Sequence, residues 1–233
     1  MQFQDLLNLY KQKEKQYGDK AFQHILELLN EAKELHKNDW LKSPTPSKDH
    51  EQSWKAFKGK NLEKLILYII EEEVKNLGLK VIEGNVLERT KTKNLSVEQN
   101  RVKRNLLVDY GEFGAHLPDV DLIVYDPKTC EVIAVISSKV SLRERVAQSG
   151  YWKIKLSQDK ITRHIKVFFI TPDKDRTLSL KRPPKKGRAI VEVDTDGCYI
   201  MSEEKVEESD NLKTFDKFIP DLKNLVYAKR NQK

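Results

Sequence analysis

Hydrophobic positions in the first third of the chain recur every three or four residues. Phe3, Leu6, Leu7 and Tyr10 predict a helix from Phe3 to about Tyr17. Asp19 is placed to cap a second helix, Lys20 to about Lys37, whose buried stripe would be Phe22, Ile25, Leu26, Leu29 and Leu35. His24 and His36 fall on polar stretches and read as surface histidines. After the break Ser43-Pro44-Thr45-Pro46-Ser47, a longer helix should start at Ser47 or Asp49 and end at Leu77-Gly78. Its apolar positions are Trp54, Phe57, Leu62, Leu65, Ile66, Ile69, Ile70 and Val74, and Gly59 is a candidate kink.

Beyond Gly78 the period shortens. Leu79 to Ile82 reads as a strand, and Val132 to Ile136 is a β-branched run that reads as a buried one. Leu117 to Tyr125 (LPDVDLIVY) reads as its antiparallel partner across the turn Asp126 to Cys130. Ile165 to Ile170 is a third strong strand; Ala189 to Val193 and Cys198 to Met201 look like two more around Asp194-Thr195-Asp196-Gly197. Ser141-x-x-Glu144 has capping-box spacing and predicts a helix from about Leu142 to Lys155. Asn211 to Lys229 reads as a closing helix kinked at Pro220, with Phe215, Phe218, Ile219, Leu222, Leu225 and Val226 inward. Gly111 to Gly114 is a turn, and Arg89 to Arg104 and Lys181 to Arg188 read as basic loops. The expected architecture is mixed α/β, a central mixed sheet flanked by helices. Residues 1–46 would form a small helical cap and residues 47–233 the catalytic domain.

Composition narrows the chemistry. The net charge of +7 favours a polyanionic partner such as nucleic acid. Two cysteines, Cys130 and Cys198, make neither a disulfide framework nor, with the histidines, a zinc site. The N-terminal residues have no signal-peptide core, and the apolar run Leu65 to Ile70 is too short to span a bilayer. A soluble, cytoplasmic protein without membrane attachment is expected.

The candidate site lies where the hairpin ends. If the two strands pair, Asp119 or Asp121 comes level with Ser137-Ser138-Lys139, and carboxylates share a sheet end with an ammonium group that needs a partner. Such a group can hold a divalent metal and set a water against a phosphodiester. Glu63 stands inside the apolar sector of the long helix; it either reaches solvent at the flank or points at that sheet end. Glu144 has a purely structural reading as the capping partner of Ser141. Lys103 and Arg104, within the first basic run, would touch phosphates or simply solvate the surface.

These residues resemble the PD-(D/E)XK nuclease superfamily, and within it the BsaWI-like type II restriction endonucleases. Pro118-Asp119 reads as the "PD", and Ser137-Ser138-Lys139 occupies the "(D/E)XK" place with serine where an acid is usual. Ser138 to Val146 (SKVSLRERV) looks like the S-K-T-S-[IL]-R-[DE]-R-V segment of that group, and Ser53-Trp54-Lys55, Gly59 and Glu63 match its S-W-K-x-x-x-G-x-x-x-E helix. The resemblance covers separated blocks between Ser53 and Val146. It implies Mg²⁺ as cofactor, Asp121 with Asp119 as its rival for the metal, Glu63 as the acid completing the site, and Lys139 as the group that orients the water. In some relatives a glutamate about a dozen residues past the lysine replaces the missing acid; here Tyr151, Trp152 and Lys153 stand there. Arg143-Glu144-Arg145, with Ser141, would read guanine and cytosine edges of a CCGG-type core. A palindrome read this way implies double-stranded DNA as partner, a homodimer, and a methyltransferase acting on the same site. The alternatives are a repair or resolvase-type nuclease of the same superfamily, a DNA-binding protein that has lost cleavage, or an unrelated α/β domain.

Overall fold

In the computed structural model the described residues are 1–43, 49–142 and 145–230, without the side chains of Arg145 and Arg230. Helix α1 (Phe3–Tyr17) leads through a 3-10 segment, Gly18–His24, into α2 (Ile25–Lys42), and α3 (His50–Asn76) follows. Asp49 starts α3 by accepting a hydrogen bond from the Gln52 N–H at 2.7 Å. The chain continues as β1 (Lys80–Glu83), α4 (Gly84–Arg89) and α5 (Val97–Arg104). A small hairpin, β2 (Val108–Asp109) with β3 (Ala115–His116), precedes the central hairpin of β4 (Leu122–Tyr125) and β5 (Val132–Ser138). Then come α6 (Arg145–Ser157), β6 (Lys166–Thr171), α7 (Lys186–Asp194), β7 (Gly197–Ile200), β8 (Leu212–Thr214) and α8 (Phe218–Arg230).

Six strands form one mixed sheet in the order β1-β4-β5-β6-β7-β8. The β1–β4 and β4–β5 pairs are antiparallel, and the remaining pairs are parallel. Helices cover both faces, which is why β4 and β5 are buried at every position instead of alternating. Leu122 and Val124 pack with α1, α2, α3 and α8; Ile123 and Tyr125 face the other way, with Val102 of α5 and Trp152 and Leu156 of α6. A third cluster joins Val146, Phe169, Val191 and Ile200 beneath α7. No helix among the described residues is long and apolar enough to cross a membrane.

The structure corrects several readings. α2 begins after a 3-10 turn, so its stripe shifts to Leu28, Leu29, Ala32 and His36, and Leu35 is 46% exposed. His24 and His36 are buried rather than superficial. The first stacks on Tyr17 with ring centroids 3.5 Å apart, and the second sits against Trp54 and Phe57 with its Nδ1 3.2 Å from His50 Nε2. α3 is continuous through Gly59. The expected basic loop Arg89 to Arg104 contains α5, started by a reciprocal Ser96–Gln99 capping box. Ala189 to Val193, β-branched enough to suggest a strand, is helical within α7. Asn211 to Thr214 is not helical: β8 takes Leu212–Thr214, and Pro220 falls in the first turn of α8, where a missing N–H costs nothing and no kink follows.

Arg188 explains α7. Its side chain is fully buried, donating to the Leu178 carbonyl at 2.6 Å, the Glu207 carbonyl at 2.7 Å and Glu192 one turn ahead at 2.8 Å. The last residue of the second basic run is therefore a structural tie and not a surface charge. Removing it strands two carbonyls and a carboxylate, an effect of about 3 kcal/mol. Arg188→Ala is expected to lower Tm by about 6–12 °C in a thermal unfolding experiment. Arg188→Lys should not restore it, because an ammonium lacks the planar fork that reaches three acceptors. An unchanged Tm in either variant would contradict this role.

Candidate active site

The site forms where three elements end together. Asp121 immediately precedes β4, and its N–H still bonds across the hairpin to the Ile136 carbonyl at 3.0 Å. That register brings it opposite the end of β5, where Ser138 closes the strand and Lys139 follows. One Asp121 carboxylate oxygen accepts from the Ser138 N–H at 2.6 Å. The Lys139 ammonium donates to both Asp121 oxygens at 2.8 and 3.0 Å. Glu63 arrives from α3: Leu62 and Ile66 bury the helix against the sheet, which turns the intervening glutamate to the sheet end, its Oε1 3.7 Å from Lys139 Nζ.

Gly84 fixes the backbone beneath this group. Its N–H donates to the Asp121 carbonyl at 2.8 Å, and a Cβ there would lie 2.0 Å from the Val120 carbonyl oxygen. Only glycine permits that approach. Nothing in the sequence marked Gly84, since the contact exists only once β1 pairs with β4.

Two carboxylates meet one ammonium group, which leaves a surplus negative charge. Burial first, then the charge of Asp121 and a hydrogen bond with it, push the Glu63 carboxyl up to about 8, against the smaller opposing pull of Lys139. Such a pair accepts a cation readily. Among the described residues no group of three or more His, Cys, Asp or Glu gathers as a metal cage. Two carboxylates with open space in front nevertheless suit Mg²⁺, which usually takes one or two protein carboxylates and completes its shell with water and substrate phosphate oxygens.

Asp119 and Asp121 are separated by geometry. Asp119 is exposed and accepts from Gln148 Nε2 at 2.7 Å, whereas Asp121 holds Lys139. Both line a small recess with Glu63, Ser137, Lys139, Gln148 and Ser149. Gln148 and Ser149 were not singled out from the sequence. The Ser149 hydroxyl is buried without a hydrogen-bond partner among the described residues. The recess opens on a cleft of about 1020 Å³ that includes Ser141, Lys55, Lys58, Arg89 and Lys174. Lys103 and Arg104 do not line it. Lys103 is half-buried and donates to the Leu87 carbonyl at 2.7 Å, and Arg104 is exposed on α5. Arg143, Glu144 and the Arg145 side chain lie outside the described residues, and so does the Ser141–Glu144 capping pair; the described helix begins at Arg145.

Comparison with known proteins gives the family and the fold. The family described as BsaWI restriction endonuclease type 2 matches residues 98–221. MjaVIP of Methanocaldococcus jannaschii, assigned as a type II restriction enzyme, is 38% identical over 198 residues, covering 83% of this chain and 85% of that protein. HpyAORF263P of Helicobacter pylori, assigned likewise, is 39% identical over 127 residues, covering 54% of this chain and 64% of that protein. The solved complex of the restriction endonuclease AgeI with DNA shares the fold, with a TM-score of 0.56 over 96% of this chain and 91% of that one at 16% identity. The hairpin, the helix-borne glutamate and these matches together place the chain in the BsaWI family of type II restriction endonucleases, enzymes that cut DNA site-specifically.

Proposed function

We propose that this protein cuts both strands of double-stranded DNA at a short GC-containing palindrome, with CCGG as its core, using Mg²⁺ and leaving 5′-phosphates. The observation that carries the reading is the convergence of Asp121, Glu63 and Lys139 at the head of an open cleft. Asp121 and Glu63 would hold the metal, which when bound polarises a phosphate oxygen and lowers the pKa of water. Lys139, fixed between them, presents its ammonium to the attacking water and to the charge gathering on the phosphoryl oxygens. Water adds to phosphorus, the P–O3′ bond breaks, and a 3′-hydroxyl departs. Ser137 cannot serve as the strand acid, so Glu63 does that work from α3. Asp119, bonded to Gln148, is the lesser of the two aspartates in this reading.

Arg143, Glu144 and Arg145 are the base readers in this proposal, arginine taking guanine O6 and N7 and glutamate accepting from cytosine N4, each pair worth about 1–3 kcal/mol of discrimination. A palindromic target calls for two copies related by a two-fold axis, so the working unit is a homodimer. The host's own DNA would be protected by a methyltransferase acting on the same site, in the cytoplasm.

Digestion of plasmid DNA by the purified protein with Mg²⁺ tests the reading. Discrete fragments carrying 5′-phosphates are expected, absent with EDTA. Lys139→Ala should slow cutting at least about 10²- to 10³-fold. A smear, or fragments that persist unchanged with EDTA or in the variant, would overturn it.

The carboxylate pair also sets a pH dependence. Because the folded-state pKa of Glu63 is raised from its ordinary value to about 8, the folded protein holds this proton more tightly than the unfolded chain. The resulting stability is present below about pH 4.5 and is lost as pH rises towards 8. Metal-free protein should therefore lose Tm across that window relative to Glu63→Gln, and Mg²⁺ should recover it in the parent alone. Parallel Tm profiles for the two proteins would contradict the assignment.

A further inference from the structure

Helix α3 continues past the active site along the cleft wall, and the residues it shows there are unusual for a helix surface. Lys55, Gly59 and Glu63 follow one another at four-residue intervals and share a face. Gly59 therefore lies one turn, about 6 Å, before the glutamate of the carboxylate pair. A glycine inside a helix weakens it relative to alanine. Nothing in the protein requires it: a Cβ at Gly59 meets no atom within 4 Å. The space it leaves is cleft.

Cations line the same cleft. Lys58 is half-buried and has no hydrogen bond or ion pair among the described residues. Its burial, then the nearby Lys174 and Lys33 ammonium groups, hold its pKa below the usual lysine value, against Asp175 and Glu51. Lys33 is answered by Glu51 at 2.5 Å, but among the described residues the Lys58 and Lys174 side chains have no hydrogen bond or ion pair. Lys174 is placed deliberately. Its N–H bonds to the carbonyl of Val140, the residue after Lys139, at 3.2 Å. The preceding Asp173 is buried, takes a positive φ of 46° and accepts from the Thr177 and Leu178 N–H groups at 2.9 and 2.8 Å. A strained, fully hydrogen-bonded aspartate thus holds a lysine at the cleft mouth opposite α3.

We propose that Gly59, with Lys58 and Lys174 lining the same cleft, is the seat of a phosphodiester adjoining the scissile one: the glycine lets the sugar–phosphate strand rest on the helix, and the two ammonium groups hold its charge. The inference rests on the reading of the cleft as a DNA site and assigns the strand's path through it. All three are positioning residues, since none touches the reacting atoms. Two cations without a partner among the described residues, in a cleft where α3 shows a glycine, fit a polyanionic strand and disfavour an apolar or cationic occupant.

The test is steady-state cleavage of plasmid DNA across a salt series by the parent protein, Gly59→Ala, Lys58→Gln and Lys174→Gln, with Tm measured for each. Gly59→Ala should raise Tm by about 2 °C and yet raise KM about tenfold, a combination that a structural role for the glycine does not produce. Each lysine variant should make the slope of log affinity against log salt shallower by about one. Parental KM in Gly59→Ala, or parental salt slopes in both lysine variants while the parent cuts, would overturn the inference and leave the endonuclease reading standing. A parent that cuts no DNA would overturn both.

Discussion

Two carboxylates held beside each other at the edge of a low-dielectric core, with one ammonium group between them, are not at rest. Asp121 and Glu63 together carry one more negative charge than Lys139 can answer, and burial raises the cost of that charge. A proton on Glu63 answers it in the bare protein. A divalent cation answers it better, and the open side of the recess leaves room for the waters and phosphate oxygens such an ion needs. The fold supplies the rigidity that makes this arrangement persist. The β4–β5 register fixes Asp121 against Ser138 and Lys139, Gly84 presses on the backbone before Asp121, and the buried stripe of α3 fixes the direction of Glu63.

In the proposed reading, the same dependence lets the site do without an acid at Ser137. The strand position is buried and neutral, and the proposed second carboxylate comes from a different element. α3 supplies it because its packing against the sheet passes the end of the central hairpin. Moving an acid from strand to helix keeps the charge count and changes only which hydrophobic contacts hold it in place. Lys55, Lys58 and Gly59 line the cleft on the same helix as Glu63, the surface proposed to carry the substrate strand.

Much of this was legible in the residues. The β-branched run Val132 to Ile136, its partner ending Leu122-Ile123-Val124-Tyr125 and the turn between them specify the hairpin, and the hairpin specifies which residues can meet Lys139. Glu63, between Leu62 and Ile66, could reach solvent or the sheet end; the resemblance favoured the sheet end, and its Oε1 lies 3.7 Å from Lys139 Nζ. Other features depend on contacts that no local pattern encodes. Ala189-Ile190-Val191 has strand propensity, but Arg188 and Asn211 bind it into a helix. A basic run shows its charge and not its partners, so Arg188, buried and fully bonded, and Lys103, tied to Leu87, looked the same as the exposed Arg104. Gly84 and Lys174 matter only through approaches between segments distant in sequence. His24 and His36 sit among polar neighbours in the chain and among aromatic ones in space.

The central claim is that Glu63, carried by a helix, completes the metal site with Asp121. Calorimetric titration of Mn²⁺ or Mg²⁺ into parent, Glu63→Gln and Asp121→Asn proteins, at a pH of about 8 with uncleavable substrate analogue DNA present, tests it most directly. The account predicts that each substitution weakens metal binding by at least about tenfold while Asp119→Asn leaves it close to parental. Parental metal affinity in Glu63→Gln would contradict it.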